Sequence, residues 1–140
     1  MLVYRVEKAA TRHGPYRNFL KSSHETMRMF HDWRYGRGVP GVFVRMTGDA
    51  RRKYKFGFSS LACLFLWFEG SIEFLEENKF TIGVYKVSPK YVINCNNQVI
   101  FLSRNARFTE RLDILETQKT LHGPIDNPQM ARIICIEQPT

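Results

Sequence analysis

Phe56 and Phe58 alternate with Gly57 and Ser59, the two-residue period of a half-buried strand, and from residue 61 to residue 68 nearly every position is apolar. This change of period predicts a strand that ends at Ser59-Ser60 and a helix that begins directly after it. Either serine can accept hydrogen bonds from the unpaired N–H groups of the first helical turn. A helix apolar on all sides belongs in a core rather than on a surface, and this one is too short to span a membrane, which takes about 20 apolar residues. Gly70 interrupts the run. Ile72, Phe74 and Leu75, interleaved with Glu73, Glu76 and Glu77, then continue as an amphipathic helix.

The other segments can be arranged around this one. Residues 2–6 form a short apolar strand with Arg5 in its middle; a buried Arg is costly unless it is paired or faces a cleft, and an edge strand with Arg5 in solvent is the alternative. Residues 11–23 read as a loop containing Gly14-Pro15. A helix is expected over 24–35, with Met27 and Phe30 inward, ended by Gly36, Gly38, Pro40 and Gly41, and a strand over 41–47. Phe80–Val87 is the clearest strand, rich in β-branched and aromatic residues. Further strands are expected over 91–94, Gln98–Leu102, 107–115 and 131–137, with a loop over 117–128. Helices and strands do not alternate regularly, so the fold class is α+β. The 140 residues are read as a single domain, 1–140, long enough to bury a core without metals.

Charge adds a second feature. The formal net charge is +8, yet residues 1–55 hold 13 Lys and Arg against 4 Asp and Glu, net +9, and the remainder is net −1. Arg12, Arg17, Arg34, Arg37, Arg51, Arg52 and Lys53 lie among Tyr16, Phe19, Trp33, Tyr35 and Tyr54, a mixture suited to phosphates and stacked bases. Nucleic acid or an acidic protein is the partner this implies; a solvated surface accounts for the same charge. Cys63, Cys95 and Cys135 match no zinc spacing, and their odd number argues against a disulfide framework and for a reducing, cytoplasmic setting. Residues 1–8 lack the apolar core of a signal peptide. Phosphate-binding glycine loops, the nucleophile elbow, zinc-protease motifs and metal-ligand sets are all missing from the sequence, which excludes most enzyme classes with local signatures.

Three separated pieces remain: Tyr4-Arg5 in the first strand, Phe58-Ser59-Ser60 at a strand end leading into a helix, and a later strand opening at Gln98. This layout resembles that of ADP-ribosyltransferases, in which an Arg or His, a Ser-Thr-Ser-like segment and a Glu come from separate strands of a split β-sheet. The resemblance covers roughly residues 2–7, 56–68 and 96–115. It implies a split β-sheet with a buried helix after the Ser-Ser strand end, and NAD or an ADP-ribose-like nucleotide as ligand. It implies Arg5, Ser59 and Gln98 as the catalytic set, and Tyr4, Arg5, Tyr54, Phe58, Ser59 and Ser60 around the nucleotide. An Arg fork can hold a diphosphate through paired hydrogen bonds, and a carboxylate beside the ribose would stabilise the oxocarbenium-like charge that develops as the nicotinamide leaves. Gln98 stands where that family has Glu. An amide can bond a ribose hydroxyl but brings no charge, so transfer activity is left open, with Glu110 and Asp113 as candidates to replace it. The remaining chain, including the Gly-Pro-Tyr-Arg loop, resembles small bacteriophage proteins, which would place it in the host cytoplasm.

Overall fold

The computed structural model describes residues 1–15, 53–95 and 98–122. The helix expected over 24–35, the strands over 41–47 and 131–137, and Arg17, Arg34, Arg37, Arg51 and Arg52 lie outside the described residues. Within them the chain is mixed α+β. Six strands, β1 (Leu2–Lys8), β2 (Tyr54–Gly57), β3 (Phe80–Val87), β4 (Val92–Cys95), β5 (Gln98–Leu102) and β6 (Ala106–Leu112), accompany helices α1 (Leu61–Trp67), α2 (Ile72–Glu77) and α3 (Ile114–His122). The strands form two antiparallel sheets, β1-β3-β6 and β2-β5-β4.

A backbone bridge joins the two sheets. Tyr4 and Phe58 exchange backbone hydrogen bonds of 2.8 Å in each direction, just beyond the end of β2. Gly57 permits that approach: a Cβ there would lie 2.5 Å from Val3 Cγ1 and 3.1 Å from the Tyr4 carbonyl oxygen, so a side chain would hold the strands apart. The first sheet has a core on each face. Val6, Phe58, Leu64, Phe65, Phe68, Leu75, Phe80 and Ile82 pack on the helix side, while Val3, Tyr85, Val87, Val99 and Phe101 fill the space between the sheets. Each such side chain removed from water stabilises the fold by about 1.5–3 kcal/mol. Alternation along β1 sends Val6 to the helices and Val3, Arg5 and Glu7 toward the second sheet.

Ser60 is the N-cap of α1, its Oγ accepting from Cys63 N at 3.1 Å. Five of the seven residues of α1 are buried, as the all-round apolar pattern requires. Gly70, with φ 85°, turns the chain into α2. One expectation is corrected after β6. The strand stops at Leu112, and residues 114–122, mostly assigned to a loop, form α3. Asp113 caps it, Oδ1 accepting from Glu116 N at 2.9 Å, and the fully buried Ile114 anchors it in the helix-side core. The Asp-x-x-Glu spacing of 113–116 is the capping signal in question. Among the described cysteines, the half-buried Cys95 is a free thiol.

Candidate functional site

Arg5 and Glu7 sit two residues apart on one strand and therefore share a face, the one turned toward the second sheet. In register, Arg5 lies opposite Gly83, and Gly83 lies opposite Arg111 on the far strand. A polar group thus crosses all three strands in one row. Glu7 is fully buried. Its Oε2 lies 3.5 Å from Arg5 Nε, its Oε1 lies 3.6 Å from Arg111 Nη1, and Oε1 also accepts a hydrogen bond from the Tyr85 hydroxyl. Gly83 leaves the room for this carboxylate, since a Cβ at that position would overlap Glu7 Oε1.

The surrounding bonds fix the cations in place. Arg5 Nη1 donates to the Phe56 carbonyl at 2.8 Å, tying β1 to β2. Arg111 Nη1 donates to Thr81 Oγ1 at 2.9 Å, and Thr81 Oγ1 in turn donates to the Glu7 carbonyl at 2.9 Å. The guanidiniums of Arg12 and Arg111 each stand 4.9 Å from the centre of the Phe108 ring. Phe108 meets Tyr85 edge-on at 5.6 Å. Arg12 reaches its ring from a left-handed backbone, φ 60°, held by bonds from Arg12 N to the Lys8 carbonyl and from Lys8 N to the His13 carbonyl. The same turn brings Gly14 over Arg5, where a Cβ would lie 2.9 Å from Nη2.

Electrostatically the group holds four cations, Arg5, Arg12, Lys55 and Arg111, around one carboxylate. Burial pulls the Arg5 pKa down, opposed by Glu7, and a guanidinium so placed stays charged. Burial together with repulsion from Arg5 pulls the Lys55 pKa down. Burial and the bond to Glu7 push the Tyr85 hydroxyl up to about 12. Arg5 Nε and Glu7 Oε2 are both buried without a hydrogen-bond partner, an arrangement that leaves part of the group's bonding capacity unspent.

The family model described as Bacteriophage T4 Y00F protein matches residues 1–115 of the chain. The chain belongs to this bacteriophage protein family. The match takes in all six strands and the whole polar group, and it supports the phage affiliation that the loop resemblance implied. No curated protein and no solved structure matches the chain significantly.

The residues singled out in the sequence fall in several places on this phage-family fold. Tyr4 and Phe58 meet directly, but both turn to the helix-side core, where the Phe58 ring packs 6.2 Å from Trp67 and 5.9 Å from Phe68. Ser60 is committed to capping α1, and Ser59 is exposed beside it. Gln98 is buried at the start of β5. Val99 pairs with Gly57, so Gln98 and Phe58 are the next positions along those strands. Val99 and Phe101 face the first sheet, and alternation turns Gln98 and Ile100 to the opposite face, away from Arg5. Tyr54 is half-buried on β2, while Arg12 and Lys53 are exposed. Of the two substitute carboxylates, Glu110 is exposed on β6 and Asp113 caps α3.

Sequence reasoning misses Glu7, Tyr85 and Arg111 as site residues. A signal existed for Glu7, because Arg5-x-Glu7 puts opposite charges on one face of a strand. For Arg111 and Tyr85 the signal lies in strand register, which a sequence does not display. Among the described residues no group of His, Cys, Asp and Glu could hold a metal ion, and no helix is long and apolar enough to cross a membrane.

Proposed function

We propose that this phage-family protein binds a nucleotide of the NAD or ADP-ribose kind, using an ADP-ribosyltransferase-like arrangement of its split sheets, and that it acts in the host cytoplasm. The observation that carries the reading is the excess of four cations over one carboxylate beside the point where β1 and the end of β2 meet. Such an excess, partly removed from water, favours a ligand with two or more negative charges. Of the three sequence pieces, Arg5 belongs to this group, while Phe58 packs in the helix-side core, Ser60 caps α1 and Gln98 faces away from Arg5. Gln98 supplies no charge to an oxocarbenium-like state, so the protein sequesters its ligand; transfer of ADP-ribose to a host macromolecule would require a carboxylate from elsewhere.

Calorimetric titration with NAD, ADP-ribose and cyclic ADP-ribose tests this. Heat is expected from at least one of them and should weaken in Lys55→Met, which removes a half-buried cation that has no ion pair among the described residues. No heat from any of the three would overturn the reading. A second reading rests on the net +9 of residues 1–55: a non-enzymatic protein that binds nucleic acid or an acidic host protein through its basic first third. Nucleic-acid binding would weaken steeply as salt rises, because bound phosphates release counterions.

A further inference from the structure

Arg12 is exposed, yet its backbone adopts the left-handed conformation that non-glycine residues seldom occupy. Local strain of this kind persists where surrounding structure imposes it. The bonds of Arg12 N to Lys8 O, 2.7 Å, and of Lys8 N to His13 O, 3.0 Å, impose it here, and the result is a guanidinium parked over Phe108. Arg111 occupies the same ring. Since each Cζ lies 4.9 Å from one centroid, the two guanidiniums are no further apart than twice that distance. Two like charges held on one aromatic ring repel, and among the described residues Arg12 and Lys55 have no carboxylate partner. The one carboxylate of the group, Glu7, is already shared by Arg5, Arg111 and Tyr85.

We propose that Arg12, Arg111 and Lys55 form a phosphoryl-binding subsite, with Phe108 as the platform that spaces the two guanidiniums and with Arg5 and Glu7 as the buried frame beneath them. Arg5 is then a positioning residue. Its Nη1 is taken by the Phe56 carbonyl and its Nε faces Glu7, and the turn at Gly14 lies over its Nη2. Arg12 and Arg111 keep unspent N–H groups, which suit the paired hydrogen bonds of a phosphoryl group. Lys55 adds a point charge whose pKa, lowered by burial and by Arg5 and Arg12, recovers when an anion neutralises its neighbours. This inference rests on the nucleotide reading for its ligand class, a diphosphate, but not for its existence as an anion site.

The test is calorimetry with inorganic pyrophosphate, ADP-ribose and adenosine, on the wild type, Arg12→Gln and Lys55→Met. Arg12→Gln leaves the exposed turn in place, and a melting curve for each variant checks folding; Arg12→Glu, which reverses the charge at the same exposed position, is the second variant. The expected result is pyrophosphate competing with ADP-ribose, both weakened about tenfold or more in the variants, as loss of one charge-assisted hydrogen bond implies. ADP-ribose affinity unchanged in folded variants would overturn the subsite and leave nucleotide binding standing. Pyrophosphate binding that is lost in the variants, with no binding of ADP-ribose to the wild type, would support the subsite and overturn the nucleotide reading. No binding of any phosphate compound would overturn both.

Discussion

Replacing Arg5 by Met tests the buried frame, because Met keeps an apolar stem of similar reach and removes only the charge and its bonds. Two interactions are lost: the 2.8 Å bond to the Phe56 carbonyl and the pairing with Glu7 at 3.5 Å. A hydrogen bond from a charged group contributes about 1.5–3 kcal/mol, and breaking a buried ion pair costs about 3–5 kcal/mol because a charge is left uncompensated. These figures overlap rather than add. Glu7 retains Arg111 and Tyr85, so the lower end applies, and a loss of about 3 kcal/mol is expected. Domains of this size are stable by only about 5–15 kcal/mol, so the shift is easily read. Urea unfolding followed by tryptophan fluorescence suits the measurement, since Trp67 is buried in the helix-side core. A double-mutant cycle with Glu7→Gln completes it: the double variant should be more stable than the sum of the single losses implies, by about 1 kcal/mol or more. A loss below about 1 kcal/mol, or strict additivity, would refute the reasoning. The same calculation warns that lost ligand binding in an Arg5 variant would not by itself show that Arg5 touches a ligand.

Two further outcomes are expected from the same structure. Lys79 follows the α2 C-cap with φ 62°; Lys79→Gly relieves a left-handed cost of about 1–2 kcal/mol, offset in part by the greater chain entropy of Gly, and should raise stability by up to about 1 kcal/mol in thermal or urea unfolding. Tyr85, pushed up to about 12, has its folded pKa above the ordinary value of 10.0; its contribution to stability is fully present below about pH 10 and is lost as pH rises toward 12. Stability of the wild type should fall across that window more steeply than that of Tyr85→Phe, read by urea unfolding at stepped pH. Equal slopes would show that the hydroxyl is not held by Glu7.

Much of the fold was legible because its signals are local. The period change at Ser59-Ser60 located the cap of α1 and the buried helix, β-branched and aromatic runs located Phe80–Val87 and Gln98–Leu102, and Gly70 located the break between α1 and α2. The strand period was extended too far at 107–115, where the Asp113-x-x-Glu116 cap outweighs it and starts α3. Of the candidate site, Arg5 and the basic Arg12 were legible in the sequence. The Arg5 partner Glu7 shares its strand and could have been found, whereas Arg111, Tyr85 and Phe108 come from strands more than 70 residues away in sequence.

The sequence by itself determined most of the described elements, the α+β class and the membership in a bacteriophage family, because periodicity, caps and family likeness are written along one dimension. Only the tertiary structure decided what Arg5 does. A buried guanidinium must be compensated, and whether by a ligand or by the protein depends on which strands lie beside it. The register Arg5, Gly83, Arg111 puts a missing side chain at the centre of the row, and the space is filled by Glu7. The protein therefore compensates Arg5 internally, with Glu7 shared between Arg5 and Arg111, whereas Arg12 and Lys55 have no carboxylate partner among the described residues and are the charges that the proposed subsite would add.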